Sequence, residues 1–526
     1  MKKIHLLLLL ISYVLVSASV PAQSWEIGNT PITFTDPNRN NRTIPTEIFY
    51  PANTSGTDVP PADGEFPVIA FGHGFIMVYS AYQYLWEALV PEGYIMAFPT
   101  TEGSAIPAPD HLEFGLDLKF LVDKIKSEGQ NPASPFYGHV ADSSAIMGHS
   151  MGGGASFLAV ENTTDISAMI TFAAAETNPS AIAAAQQVTI PTLVFSGSDD
   201  CVTPPDQHQV PMYNNLGADC KTFISITGGG HCYFANYNFN CSLGELFCNP
   251  AASITRQEQH SIVLAHLIPY LDFMLKGNIS SWESFNNLLN NPNDITLQQT
   301  CNIGFYDVKV LLEGPNENTL MTNFLNISGS LPLIQPYSIN PWNYNGPEAV
   351  TAIPNTAVVD WILLEFRDAP DAASAVPSTI IGHKAAFILQ DGRVADINGV
   401  NPVRFDAGYQ DLPFVVIYHR NHLAVMTANS PVETDGIYNY DFTVSADRAY
   451  GTDAQKLLPY GSYGLFAGDF NADGTINSDD RSLDWMGNAG TGGYLQTDGN
   501  LDGQTDHPDK NDAWLSNLGK SSQVPE

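Results

Sequence analysis

Positive charge is scarce in this chain. Lysine and arginine supply 21 of 526 residues, against 55 aspartates and glutamates, for a formal net charge of −34. No basic stripe can neutralise a phosphate backbone, so nucleic acid is excluded as a partner. Long apolar runs are also missing. Beyond the N-terminal leader none approaches the roughly 20 residues of a membrane-spanning helix, so no membrane span is expected. Cysteine does not occur outside residues 201–301, and the six cysteines there form no Cys-x-x-Cys pair. That weakens a zinc reading. An even number of cysteines in an exported chain favours disulfides.

Export is read from the start of the chain. Lys2 and Lys3 precede an apolar stretch from Leu6 to Val16, and Val20-Pro21-Ala22 supplies small residues for cleavage. Residues 1–22 therefore read as a Sec-type signal peptide, which implies a secreted, extracellular protein. No cysteine follows the apolar stretch to carry a lipid. The excess of acid fits a solvated surface and calcium binding.

The length implies more than one domain. Residues 23–303 alternate short apolar runs with helical patterns. The runs include Val68–Phe71, Tyr94–Phe98, Ala168–Phe172, Thr192–Phe195 and Thr222–Ile226. The helices fall near Tyr79–Leu89, Asp110–Ser127 and Ile254–Leu275, with Gly277 as the last C-cap. This pattern predicts an α/β domain with a mostly parallel sheet and helices on both faces. Residues 278–300, rich in Asn and Ser, read as an exit linker with one short helix. Residues 304–458 carry strand-like runs with turns between them and no helices, which predicts an all-β sandwich as an accessory domain. His419 and His422 lie there. In one continuous strand they face opposite sides, which disfavours a shared metal.

The chemistry is carried by Gly148-His149-Ser150-Met151-Gly152-Gly153-Gly154, directly after the apolar run Ser144–Met147. A G-x-S-x-G string between a buried strand and a helix is a nucleophile elbow. Its glycines leave room for a sharp turn that lifts the serine above the sheet edge. A serine needs a base, and the base an orienting acid, in the chain order Ser, Asp, His. Asp200 follows the Thr192–Phe195 strand and His231 follows Gly228-Gly229-Gly230, at spacings of 50 and 31 residues. Asp199 is the alternative acid, and His149 a competing base. The oxyanion donors are expected to be the N–H groups of Met151 and of Phe75, the latter in the loop Gly72-His73-Gly74-Phe75.

Six cysteines allow fifteen pairings. Cys201 and Cys232 each follow a triad candidate, which makes them the preferred pair. Cys241–Cys248 and Cys220–Cys301 would then complete the set.

The end of the chain repeats with a period of 29 residues. Asp469, Asn471, Asp473, Gly474, Asn477 and Asp480 recur as Asp498, Asn500, Asp502, Gly503, Asp506 and Asp509, with Thr475 and Gln504 at the carbonyl position, and Trp485 recurs as Trp514. The spacing is that of a 12-residue calcium loop. Oxygen ligands occupy positions 1, 3, 5, 9 and 12, a backbone carbonyl comes from position 7, and glycine sits at position 6. Residues 460–526 are thus expected to form a small helical calcium-loop module. With its aspartate-closed loops it resembles the dockerin family. The resemblance implies structural Ca2+ and a cohesin-like or cell-surface partner.

The stretch from about 40 to 300 resembles bacterial cutinases and polyester hydrolases in its elbow, in Asp200-Cys-Val-Thr-Pro and in His231. The His73-Gly74-Phe75 loop is similar to that of platelet-activating-factor acetylhydrolases and dienelactone-hydrolase-like proteins. The resemblance implies an α/β-hydrolase that uses Ser150, His231 and Asp200 on an ester, small or polymeric, without a catalytic cofactor. Cysteines beside the acid and the histidine also match a disulfide of some polyester hydrolases. One departure concerns the substrate cleft. Those enzymes carry a Pro-Trp pair after the strand that follows the elbow, whereas this chain has Ala173-Ala174-Ala175-Glu176. The expectation is an exported serine carboxylic-ester hydrolase. The alternatives are a carbohydrate esterase acting on acetyl or feruloyl groups, or a binding protein with a degenerate hydrolase domain.

Overall fold

The computed structural model describes residues 24–290, 292–406, 408–434 and 436–526. The stretch 1–22, expected to be a signal peptide, lies outside the described residues. The chain divides into two compact units, Met1–Gln298 and Gln299–Glu526.

In the first unit, a hairpin of β1 (Glu26–Asp36) and β2 (Arg42–Ala52) opens the sheet, with β3 (Gly56–Thr57) beside β1. Then come β4 (Phe66–Gly72), α1 (Gln83–Leu89), β5 (Ile95–Pro99), α2 (His111–Gly129), β6 (Val140–His149), α3 (Met151–Val160) and β7 (Ala168–Phe172). The unit continues with α4 (Ala181–Ala184), β8 (Thr192–Gly197), α5 (Gln209–Asn215), β9 (Cys220–Ile226), α6 (Phe239–Gly244), α7 (Arg256–Lys276) and α8 (Ile279–Asn290). A last strand, β10 (Ile295–Cys301), starts at the end of this unit. The sheet order is β10-β9-β8-β7-β6-β4-β5-β2-β1-β3.

The central strands β4, β6, β7, β8 and β9 pair in parallel. Every residue of β4, β7 and β8 is buried, as a strand covered on both faces requires. Helix signals are local. The Asp110 carboxylate caps α2 by accepting from the N–H groups of Leu112 and Glu113. Thr255 and Glu258 form a capping box on α7, and Gly277 ends it at φ 68°. Two expectations change here. The 278–300 stretch holds the expected helix, α8, but also most of β10, which joins the sheet. The antiparallel β1–β2 hairpin is an element that the sequence pattern did not predict.

The second unit contains a five-stranded antiparallel sheet built on Val358–Ala369, Ile380–Leu389 and Leu412–His419. A four-stranded sheet built around Ile303–Lys309 accompanies it. The two share one apolar core, in which the Tyr306 ring lies 4.7 Å from Phe366 and Phe366 stacks on Phe405 at 3.8 Å. The C-terminal repeat belongs to the same unit. Leu501 enters the core between the sheets, and Trp485 and Trp514 cluster with Leu423, Phe466, Phe470 and Ile476.

Candidate active site

The strand β6 ends at His149 and α3 begins at Met151, so Ser150 alone makes the turn. It does so at φ 54°, ψ −117°, a backbone conformation that costs a non-glycine residue energy. Neighbouring backbone holds it there: the Ser150 N–H donates to Phe172 O at 2.9 Å, and Ser150 O accepts from Ala175 at 2.9 Å and Gly154 at 3.0 Å. The glycines admit the crossing. A Cβ on Gly152 would stand 2.1 Å from Gly72 O, and one on Gly148 2.3 Å from Gly152 O.

Three side chains from three loops meet above this turn. His231 Nε2 lies 3.0 Å from Ser150 Oγ, and His231 Nδ1 lies 2.8 Å from Asp200 Oδ2. All three residues are buried. Asp200 is fixed in turn, with Oδ1 accepting from the N–H groups of Val202 and Thr203 and Oδ2 accepting from Thr203 Oγ1, each at 2.8 Å. Gln209, wholly buried, donates to Thr203 Oγ1 at 3.1 Å and to Ala174 O at 2.6 Å. Asp199 turns away, towards Ser198 and Ser253.

His149 is also placed elsewhere than as a base for Ser150. Gly74 N–H donates to Tyr82 Oη at 2.8 Å, and Tyr82 Oη lies 3.0 Å from His149 Nδ1. His149 Nε2 lies 3.1 Å from the carbonyl of His231. Burial, and then the adjacent His231, hold His149 well below the ordinary histidine range. The neutral ring therefore ties the Gly72–Phe75 loop to the backbone of His231. Met151 is buried at the start of α3, and Phe75 is half exposed.

The cysteine pairing differs from the expectation. Cys232 bonds Cys241 and Cys201 bonds Cys248, in place of Cys201–Cys232 and Cys241–Cys248. The reason is the short helix α6. It turns the chain back so that Cys241 comes within 5.7 Å of Cys232 (Cα to Cα), and the following turn brings Cys248 within 5.4 Å of Cys201. Cys220 and Cys301 are disulfide-bonded as well, and no cysteine is free among the described residues.

Tyr82, Thr203, Gln209 and His208 were not singled out in the sequence. His208 Nδ1 accepts the N–H of Glu176 at 2.9 Å, in the stretch where the resemblance led one to look for an aromatic residue. Burial lowers its affinity for a proton. Only Thr203 carried a local signal, three residues after an aspartate that caps its own turn.

In the C-terminal repeat, Asp469 accepts from the N–H groups of Asp473 and Gly474, and Asp480 from those of Phe470, Asn471 and Asn477. Asp498 and Asp509 make the equivalent bonds, to Asp502 and Gly503 and to Gly499, Asn500 and Asp506. Asn471 and Asn500 each reach the carboxylate two residues on, Asp473 and Asp502. The recurring tryptophans now have a role. Trp485 Nε1 donates to Asp506 O in the second loop, and Trp514 Nε1 donates to Asn477 O in the first. Burial and then the neighbouring carboxylates push Asp469 up to about 7. Among the described residues, no group of three or more His, Cys, Asp or Glu side chains stands assembled for a metal.

His419 and His422 require a correction. They do not lie on one strand. A tight turn separates them, so they pair across a hairpin with their Nδ1 atoms 3.0 Å apart.

The first unit, a mostly parallel sheet with a serine at the strand-to-helix turn after its central strand, has the α/β-hydrolase architecture. Comparison with known proteins narrows the likeness. A PET hydrolase-like family model matches residues 42–248. Cutinase est1 of Thermobifida alba is 24% identical over 175 residues, which is 33% of this chain and 55% of that protein. A bis(hydroxyethyl) terephthalate hydrolase of Streptomyces coelicolor is 24% identical over 185 residues, 35% of this chain and 54% of that protein. A cutinase of Thermobifida fusca is 24% identical over 177 residues, 33% and 54%. The chain spans about half the length of the curated relatives it matches.

Proposed function

We propose that the first unit is a serine carboxylic-ester hydrolase. One observation carries this reading: the unbroken chain Asp200–His231–Ser150, ending on a serine held at φ 54°. With Nδ1–H given to Asp200, His231 presents a free Nε2 lone pair to Ser150. The serine attacks the ester carbonyl as His231 takes its proton, and His231 then returns that proton to the leaving alcohol. Asp200 fixes the tautomer and stabilises the imidazolium. Thr203 and Gln209 hold Asp200. The Met151 and Phe75 N–H groups are the donors for the oxyanion. Water, deprotonated by His231, clears the acyl-enzyme. Similarity to cutinases and to a terephthalate-ester hydrolase supports the ester as substrate. The test is hydrolysis of a p-nitrophenyl ester series with Ser150→Ala as control. Loss of activity in that variant is expected, and an active Ser150→Ala protein would sink the reading.

The C-terminal loops are assigned to structural Ca2+. The donor set is all oxygen, which suits a hard cation. Asp506 Oδ1 is buried without a hydrogen-bond partner. Asp469, Asn471, Asp473, Asn477 and Asp480, with the Thr475 carbonyl, would hold one ion. Asp498, Asn500, Asp502, Asp506 and Asp509, with the Gln504 carbonyl, would hold the other. The ion would supply charge neutralisation to buried carboxylates and takes no part in ester cleavage. Raised melting of the full chain with added calcium, reversed by chelator, is expected. Identical melting in both conditions would remove the assignment. The dockerin-like pattern also suggests docking to a cohesin-like partner, which calcium-dependent pull-down would detect. Disulfides and the leader support an exported protein, and no helix among the described residues is long and apolar enough to cross a membrane.

A further inference from the structure

Residues 232–255 lie between the candidate base and α7, and they differ in composition from the rest of the chain. The whole protein carries an acidic residue about once in ten positions, yet this stretch of 24 residues has one charged side chain, Glu245. That carboxylate points inward, accepting the Cys232 N–H at 2.8 Å. Large apolar side chains on this stretch are open to solvent. Tyr237, Phe239, Leu243, Leu246 and Phe247 are between 52% and 88% exposed, and α6 buries none of its residues. Three aromatic rings of about 150–250 Å² each, with two leucines, exceed the scattered apolar exposure that needs no explanation.

This surface is built onto the candidate active site. One disulfide fixes it at Cys232, next to His231, and the other at Cys201, next to Asp200. Asn240 Nδ2 donates to Ile76 O at 3.0 Å, beside the half-exposed Phe75 of the expected oxyanion loop. A Cβ on Gly244 would touch the Val202 side chain at 3.6 Å. The acid loop, the base loop and the expected oxyanion loop therefore all meet this one segment.

We infer that the disulfide-pinned segment 237–247 is an acyl-chain docking surface, fitted to long-chain aliphatic esters of no net charge. The inference rests on the serine-esterase reading and names the substrate class of that same site. Phe239, Leu243, Leu246 and Phe247 offer neither charge nor hydrogen-bond donors, so an ionised group finds no partner on them. A long methylene chain leaving the acyl carbon at Ser150 meets apolar surface instead of water. An acetyl or butyryl group is too short to use it.

The test compares p-nitrophenyl butyrate with p-nitrophenyl palmitate, using the wild type and the triple variant Phe239→Ser, Leu243→Ser, Phe247→Ser. The expected result is a tenfold or greater fall in kcat/KM for palmitate, carried mainly by KM, with butyrate changed less than twofold. Equal effects on both esters, or none on either, would overturn the inference. So would a wild-type dimer that the variant dissociates without altering the palmitate-to-butyrate ratio, because the face would then serve a second copy. If the wild type cleaves neither ester, the esterase reading fails separately. The docking surface is then read by calorimetry with p-nitrophenyl hexadecyl ether, which cannot be hydrolysed. Binding by wild type and not by the triple variant supports it, and equal or absent binding overturns it.

Discussion

Among the described residues, each unit buries an aspartate–histidine array. In the first, Asp200 holds His231 and His231 reaches Ser150. In the second, Asp360 Oδ2 receives His419 Nε2 at 3.3 Å and Arg420 Nε at 2.9 Å, and Asp360 Oδ1 receives Tyr494 Oη at 2.7 Å. His419 then faces His422, whose Nδ1 meets Asn421 Oδ1 and whose Nε2 accepts the Gly314 N–H. The residue types are nearly the same, but the endings differ. The first array ends on a hydroxyl at a strained turn, with loops and exposed apolar side chains around it. The second ends, at His422, on the Asn421 side-chain amide and the Gly314 N–H. A histidine–carboxylate pair is therefore not evidence of catalysis in itself. What distinguishes a site is a terminal atom with a proton to give and somewhere to send its electrons.

That comparison can be broken experimentally, most forcefully at the serine. Ser150→Ala should lower ester hydrolysis by about a million-fold while the melting temperature stays near the wild-type value. Asp200→Asn should cost about ten-thousand-fold through the wrong histidine tautomer, measured as kcat/KM on a soluble ester. The matching change in the other array should behave in the opposite way. Asp360→Ala leaves Arg420 buried without its counter-charge, so the second unit should lose about 3–5 kcal/mol in denaturant unfolding, with kcat/KM unaltered. Burial works to raise the Asp360 carboxyl, but Arg420, and then His419 and Tyr494, outweigh it and hold the group down at about 2. Its contribution is therefore complete above the usual carboxylate range of about 4 and is lost as pH falls towards 2. Acid unfolding of the second unit that is identical in wild type and Asp360→Asn would contradict this. The smallest effect is expected at Tyr82→Phe. It strips the hydroxyl from between Gly74 and His149 and should cost about 1–3 kcal/mol by thermal unfolding, with the rate falling less than for Asp200→Asn.

How much of this was legible beforehand depended on how local each signal was. The elbow, the α2 and α7 caps and the twinned loops are written in consecutive residues, and all can be read from the string. Ser150, Asp200 and His231 come from three separate loops, yet the elbow motif and the chain order of the fold make them candidates, with Asp199 and His149 left as alternatives. Tyr82 and Gln209 could not be named that way, since a buried hydroxyl or amide next to the site is set by which loops happen to cross. The disulfides depart from the expected pairing for a related reason. Cys201 and Cys232 are near the same two side chains, but the six-residue helix α6 offered each of them a closer partner. At His419 and His422 the intervening turn cancels the strand period.

The contribution of Leu501 and Trp514 to the second unit has a consequence for how the protein is made. Strands from Ile303 onward need apolar partners that are encoded some two hundred residues later. At 5–20 residues per second a ribosome takes roughly 10–40 s to cover that distance. During that interval the sheets have exposed edges and an unfilled core, so chaperone occupancy of nascent chains should persist until the second loop has emerged.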